Sequence, residues 1–276
     1  MRAATTASTS YPLNVHTTRF QALHWLLCRD PDDKARGVRQ LDPLGQVGAA
    51  GSIVEPPGIP GRPERPALVL HTQLKPRSAQ TREGRAALLH ALAHIELNAI
   101  DLALDICWRF AGLPEAFYRQ WLQVAREEAL HFELLRDHLA TLGHRYGDFD
   151  AHDGLWQMAE RTRHDLLARL ALVPRTLEAR GLDASPAVKA KLLAAGDVRG
   201  GEILDIILRD EIGHVAVGNR WYRWLCAQRG LDPLASYATL AREHGAPRPR
   251  GPFNLDARRA AGFDEAELAA LGTIAP

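Results

Sequence analysis

Two copies of one short pattern constrain this chain more than any other feature: Glu127-Glu128-Ala-Leu-His131 and Asp210-Glu211-Ile-Gly-His214, each an acid followed by Glu-x-x-His. Residues three apart on a helix share a face, so each Glu and His pair can point at one target. A single Glu-x-x-His arises by chance in a chain of 276 residues; two on long helical stretches, each with an extra acid in front, do not arise so easily. Glu96 stands 32 residues before Glu128, and Glu178 stands 33 before Glu211. The chain therefore reads as two helix-pair halves, each carrying Glu…Glu-x-x-His and related by a pseudo-twofold axis.

The same six residues fall on the faces that should be buried. Glu96 lies on the stripe Leu89, Leu92, Ala99, Ala103, Ile106; Glu128 and His131 continue Trp121, Val124, Leu135, Leu142. Glu211 and His214 continue Ile207, Gly218, Trp221, Leu225, and Glu178 follows Leu167, Ala171 and Pro174. Four carboxylates converging in one core would repel, and each isolated buried charge costs at least several kcal/mol. Two divalent cations cancel the four negative charges, and one Glu from each of two helices plus Glu-x-x-His from each of the other two is the ligand set of a bundle dimetal site. The competing reading is a set of protonated glutamates hydrogen-bonded to one another. Glu, Glu, His sites suit iron or manganese, with zinc accepted where it is abundant.

Four long helices are expected: Arg82 to Ala111, Pro114 to Leu142, Asp153 to Gly181, and Asp197 to Arg229, with a short helix opened by Ser185-Pro186 before the last. The tight Gly112-Leu113-Pro114 turn makes the first two antiparallel. The ten-residue link Gly143–His152 could span ~33–36 Å, about the length of a ~24-residue helix, so one crossover along the bundle is feasible beside a simple up-down-up-down order. The expected architecture is all-α: a bundle over residues 81–230 flanked by irregular extensions, 1–80 and 231–276. The first extension holds a short helix at Thr18–Leu27 and a Pro/Gly-rich belt, Gly51–Pro66; the second ends in an amphipathic turn at Glu265–Leu271.

Composition narrows the class further. The net charge of +1 gives no global field toward nucleic acid or an anionic membrane. Cys28, Cys107 and Cys226 are scattered and odd in number, which reads as buried thiols in a reducing compartment. The N-terminus lacks an apolar leader core and no stretch approaches ~18 uncharged apolar residues, so a cytoplasmic protein with no membrane span is expected.

Several residues stand near the six. Metal-bound imidazoles usually give their second N–H to an acid; Glu127 and Asp210 either take that role across the bundle or face solvent. His90 and His94, at i and i+4, could form a separate metal pair, line the approach to the site, or serve as bundle residues. Pro174 should kink the third helix, Gly218 would leave room for a substrate, and Trp221 and Tyr222 read as core before electron relays.

The strings GRPERP (61–66), HALAHIELNAIDLALD (90–105), EEALHF (127–132), YGDFDAHDGLW (146–156), TLEARGLD (176–183), DEIGHV (210–215) and GPFNLDARRAAGF (251–263) make the chain resemble, over nearly its whole length, the ferritin-like family known as domain of unknown function 455. That family is similar in ligand pattern to the diiron tRNA hydroxylase acting on isopentenylated adenosine, and more distantly to rubrerythrins and ferritins. The resemblance implies a carboxylate-bridged diiron centre held by Glu96, Glu128, His131, Glu178, Glu211 and His214. No rubredoxin-type Cys cluster is present, which counts against a self-contained peroxidase chain.

The leading expectation is an O2-activating oxidase or hydroxylase with an unidentified organic substrate, an external reductant, and a monomeric or small homo-oligomeric state. The alternatives are iron oxidation and storage or peroxide removal, and a metal-stapled binding module without catalysis. An RNA substrate enters by analogy alone; Arg242, Arg248, Arg250, Arg258 and Arg259 against Glu243 and Asp256 give a modest local excess of +3, which a solvated tail explains better.

Overall fold

The computed structural model describes residues 16–75 and 77–271. The expectation about a leader concerns a segment that lies outside the described residues. The helices are α1 (Thr18–Leu26), α2 (Pro31–Arg39), α3 (Arg82–Arg109), α4 (Glu115–Thr141), α5 (Gly154–Arg161), α6 (Leu166–Leu172), α7 (Ala179–Ala194), α8 (Val198–Arg229), α9 (Pro233–Glu243), α10 (Leu255–Ala260) and α11 (Glu265–Ala270), with a π-helical turn, Val173–Glu178, joining α6 to α7. Among the described residues there is no strand, only an isolated bridge between Leu68 and Ala151. The protein is all-α.

The long helices begin and end where local chemistry tells them to. Thr81 accepts from the Gly84 N–H at the head of α3, and Asp197 accepts from the Gly200 N–H at the head of α8. Gly230 closes α8 in the left-handed conformation, at φ 63°, that glycine adopts without a Cβ penalty.

Pair contacts between side chains fix the topology. Glu127 and His131 of α4 meet His214 and Asp210 of α8, so a step forward along one helix is a step back along the other. Hence α4 and α8 are antiparallel. The short turn Ala195–Asp197 folds α7 back on α8, which makes α4 and α7 parallel, and a parallel pair needs a crossover. The chain supplies it by running alongside α3. Arg82 reaches the Leu142 carbonyl, the Gly147 N–H meets His90, the His152 carbonyl meets His94, and Arg169 of α6 pairs with Asp105. Residue numbers rise together on both sides, so the link traverses the bundle from end to end. Of the two connectivities left open by link length, the structure adopts the crossover.

The third helix departs from expectation at both ends. Asp153 does not cap it; its carboxylate takes Arg62 at 2.5 Å, and α5 belongs to the crossover. Nor does the helix stop at Gly181, whose φ is not positive: α7 runs through Gly181 and Ser185-Pro186 without a break. Proline's missing N–H would strand the carbonyl four residues back. Here the Leu182 carbonyl accepts from the Asn254 amide at 3.2 Å, a partner from the C-terminal tail. The buried Leu182 also packs with Ala179, Val215, Ala257, Ala261 and Phe263 in a small second core, which draws the helix onward.

The flanking segments are more ordered than their composition foretold. Asp30 accepts from the Asp33 N–H and Pro31 takes the first helical position, so Asp-Pro-Asp-Asp opens α2. α1 and α2 lend Ala22, Leu26, Ala35 and Val38 to the same core as α3 and α4. Lys34 pairs with Asp101 in the interior, and Arg19 binds the Trp108 carbonyl at 2.6 Å and the Gly51 carbonyl at 2.7 Å, pinning the belt. In the tail, α9 forms where irregular chain was expected. α3 is long and apolar enough to cross a bilayer by composition, but it is mostly buried among the other helices, as in a core helix. The three cysteines are unpaired; Cys107 and Cys226 are buried and Cys28 is half-buried.

Candidate metal centre

Glu96, Glu128, His131 and Glu211 are all buried, and each offers a ligand atom within 4.8 Å of the others. This cluster could hold a metal ion. It exists because α3, α4 and α8 each turn one polar position into a stripe that is otherwise apolar, the price of which is met only by partners inside the stripe.

The histidines organise it. His131 turns Nδ1 to Glu96 Oε2 and Glu128 Oε2, both at 3.3 Å, and Nε2 to Asp210 Oδ2 at 3.1 Å. His214 turns Nδ1 to Glu128 Oε1 at 2.8 Å and Glu211 Oε1 at 3.7 Å, and Nε2 to Glu127 Oε2 at 2.8 Å. Glu127 and Asp210 thus hold the outer nitrogen of the opposite helix's imidazole, the arrangement that fixes a ligating histidine's tautomer and aim. Glu128, fully buried, lies between the two rings with one oxygen toward each. Glu178 Oε2 is buried with no hydrogen-bond partner.

The electrostatics are those of a site lacking countercharge. Burial and the charge of Glu128 push Glu96 well above the usual carboxylate range; burial and the charges of Glu211 and Glu128 do the same to Glu178, and burial and Glu128 raise Glu211. Burial opposes ionisation of Glu128 too, but the charge of His214 and hydrogen bonds to both imidazoles pull it below that range. Burial would neutralise His131 and His214; bonds to Asp210, Glu128 and Glu96 for the first, and the Glu128 charge with a bond to Glu127 for the second, raise both well above an ordinary imidazole. Buried atoms that make no well-aligned hydrogen bond, whatever charge lies near them, include Glu96 Oε2, Glu128 Oε1, Glu178 Oε2, Glu211 Oε2 and His214 Nδ1, five ligand-type atoms in one core. Native interiors leave few such groups unpaired, and an absent ion is one reason for an exception. The donor set fits a metal.

The neighbouring residues take other roles. His90 accepts from the Gly147 N–H at 2.9 Å, and His94 contacts Tyr146 Oη at 2.8 Å and the His152 carbonyl at 3.2 Å, so both rings are engaged by the crossover segment. Burial lowers both to about 4. His94 instead walls a cavity of about 280 Å³ shared with His71, Lys75, Ile95, Asp150 and His152, none of them among the six. Trp221 donates to Gln120 Oε1 and Tyr222 to the Pro233 carbonyl, both as packed core. Two of the five tail arginines are tied down: Arg258 is buried against Asp183, and Arg259 pairs with Glu265, whereas Arg242, Arg248 and Arg250 are exposed.

Pro174 produces a π-helical turn in place of a simple kink, and the room expected at Gly218 is filled. A Cβ at 218 would lie 2.5 Å from Pro174 Cβ and 2.7 Å from its Cγ. Glycine is there so that α8 can approach the π-turn. Gly218→Ala should destabilise the fold by about 1–3 kcal/mol, the usual cost of overpacking, read as a lower melting temperature. An unchanged melting curve would show that the turn yields freely.

Sequence reasoning missed the two aspartates of α3 that tie the core outward, Asp101 to Lys34 and Asp105 to Arg169 and Arg109. The signal was available as acids four apart inside the apolar run Ala99–Trp108.

These features define a class: an α-helical bundle with one crossover and a buried Glu/His cluster able to bind metal. Residues 27–269 match the family described as Protein of unknown function (DUF455), and the chain belongs to that family. It is also similar to an uncharacterized protein of Haemophilus influenzae, 51% identical over 223 residues that cover 78% of this chain and 77% of the relative. No solved structure matches.

Proposed function

We propose that this protein is a diiron oxidoreductase of the ferritin-like type, an O2-activating oxidase or hydroxylase acting on an organic substrate with electrons from an external reductant. One observation carries the reading: two Glu-x-x-His helices set their imidazoles face to face across Glu128, each steadied from behind by an acid of the other helix. A staple for a binding module would be complete with one cation and one ligand set. Two related sets sharing a carboxylate support a pair of ions about 3.5–4 Å apart.

In this arrangement Glu96, Glu128, His131 and Glu211 would hold one ion, and Glu178 and His214 would contribute to the other. Four carboxylates with one imidazole per metal favour iron or manganese over softer-ligand metals. When bound, a ferrous pair supplies two electrons to O2. The protein's part is to keep the ligands aimed, through Asp210 and Glu127, and to exclude water by burying Glu128 and His131 completely. The flanking segments cover the bundle, as α2 does through Lys34, which supports a monomer or small oligomer rather than a storage shell.

Anaerobic loading followed by air tests this directly. About two irons per chain should bind, following the two-ion ligand set, with one burst of O2 uptake in the absence of reductant. A shell of roughly two dozen subunits taking up many irons per chain would replace the oxidase reading by storage. Chelation should lower the melting temperature by several degrees, since a ligand at 100 times its Kd contributes about 2.7 kcal/mol. An apo protein that melts like the loaded one would favour protonated glutamates with no resident metal.

A further inference from the structure

The six ligands are not equally prepared. Glu96, Glu128, His131 and Glu211 already stand within 4.8 Å of one another, and His214 touches the edge of that group through Glu128. Glu178 alone has no direct partner among them, although its buried Oε2 lacks any hydrogen bond. It is also the ligand carried by the π-helical turn, whose backbone geometry is set from outside the bundle.

What sets it is the C-terminal segment. Thr176 Oγ1 gives its single proton to the Ala171 carbonyl at 2.9 Å, five residues back. The Tyr237 hydroxyl of α9, 2.9 Å from Thr176 Oγ1, must therefore be the donor in that contact. One residue earlier, Arg175 gives Nη2 to Glu267 of α11 at 2.7 Å, and its guanidinium carbon lies 4.4, 5.5 and 5.2 Å from the ring centres of Tyr222, Tyr237 and Phe263. Arg175 and Thr176 are both buried, and Pro174 is wedged against Gly218 on the other side. Three consecutive residues ahead of Glu178 are thus held, two of them by groups from beyond residue 230.

We infer that the two metal positions are unequal: one is assembled in advance by Glu96, Glu128, His131 and Glu211, while the second depends on Glu178, whose place is fixed by a clamp formed by Tyr237 and Glu267 on Thr176 and Arg175. Tyr237 is then a positioning residue for a metal ligand it does not touch, and the C-terminal helices are part of the metal-binding apparatus. A single donor removed from the clamp loosens the turn without altering any ligand. This inference rests on the two-ion reading of the site.

Anaerobic calorimetric titration with ferrous iron tests it. Wild-type protein should bind two ions in separable steps. Tyr237→Phe, which keeps the ring and loses the hydroxyl, should weaken the second step roughly five- to tenfold, the effect of one buried hydrogen bond, and leave the first unchanged. Thr176→Val should act in the same direction. Tyr118→Phe, which removes another buried tyrosine bond, to the Phe110 carbonyl at 2.8 Å, serves as the control and should leave both steps alone. Equal weakening of both steps, or no change in either with Tyr237→Phe, would overturn the clamp while leaving two-ion binding intact. No iron binding by the wild type would overturn both together.

Discussion

On the proposed two-ion reading, Glu128→Ala is expected to abolish binding at both metal positions, lowering iron content from about two per chain toward none and weakening whatever remains by more than 100-fold. The magnitude follows from comparison: losing only a group that hydrogen-bonds a ligand typically costs 10–100-fold in metal affinity. Glu128 is more than that, with Oε2 3.3 Å from His131 Nδ1 and Oε1 2.8 Å from His214 Nδ1. It is also the cluster carboxylate held below its usual range by the two imidazoles, hence the one already ionised when metal arrives. On that reading its removal takes away a shared ligand, and in any case the charge that lies between both rings. Elemental analysis after anaerobic loading provides the measurement, with Glu115→Ala, on the exposed first turn of α4, as the control. Two irons retained at unchanged affinity would show that the sharing ligand has been misplaced.

The second large effect is on stability and lies away from the metal centre. Asp105→Ala should destabilise the fold by about 3–5 kcal/mol, as expected when one partner of a buried ion pair is removed. Asp105 is fully buried, accepts from Arg109 Nη2 at 2.7 Å and Nε at 3.0 Å, and pairs with Arg169. Burial would raise its ionisation range, but the Arg169 charge and the Arg109 bonds hold it lower, so it remains charged. Arg169 is equally enclosed and uses its other nitrogens on Thr162 Oγ1 at 3.0 Å and the Ala159 carbonyl at 2.6 Å. Without Asp105, Arg169 keeps those neutral acceptors and no opposite charge. The contact also ties the end of the crossover and the start of α6 to α3, so its loss should loosen the segment leading into the π-turn. Urea unfolding would measure it; Asp105→Asn separates charge from volume. A change under 1 kcal/mol in both variants would mean that water reaches Arg169 and replaces the carboxylate.

Much of the candidate site was legible because its grammar is local. Glu128 and His131, like Glu211 and His214, share a face through the three-residue spacing of any helix, and the apolar stripes around them state which face is inward. Glu96 follows once two halves of nearly equal spacing are noticed, and it joins the buried cluster. The head of α3 and both ends of α8 were readable for the same reason: Thr81, Asp197 and Gly230 act on backbone groups within a few residues of themselves.

What the sequence by itself determined, then, is three long helices, α3, α4 and α8, the inward face of each, and the identity of Glu96, Glu128, His131 and Glu211, which meet there. The tertiary structure decided everything that depends on partners distant in the chain. Gly181 and Pro186 look like a helix end, yet α7 continues because Asn254, some seventy residues on, takes the Leu182 carbonyl that proline orphans. The crossover, as against an up-down order, is settled by contacts of the link with His90, His94 and Asp105 along α3, which link length could not specify. Gly218 suggested open space and holds Pro174 instead. Glu127 and Asp210 could have faced water; each lies across from the other helix's imidazole only because α4 and α8 run antiparallel in that register. The physical reason is the same in every case. Periodicity and capping act over one or two turns and are written in consecutive residues, whereas the acceptor for a stranded carbonyl, the neighbour that fills a glycine's gap, and the acid behind a histidine come from whichever segment packing brings there.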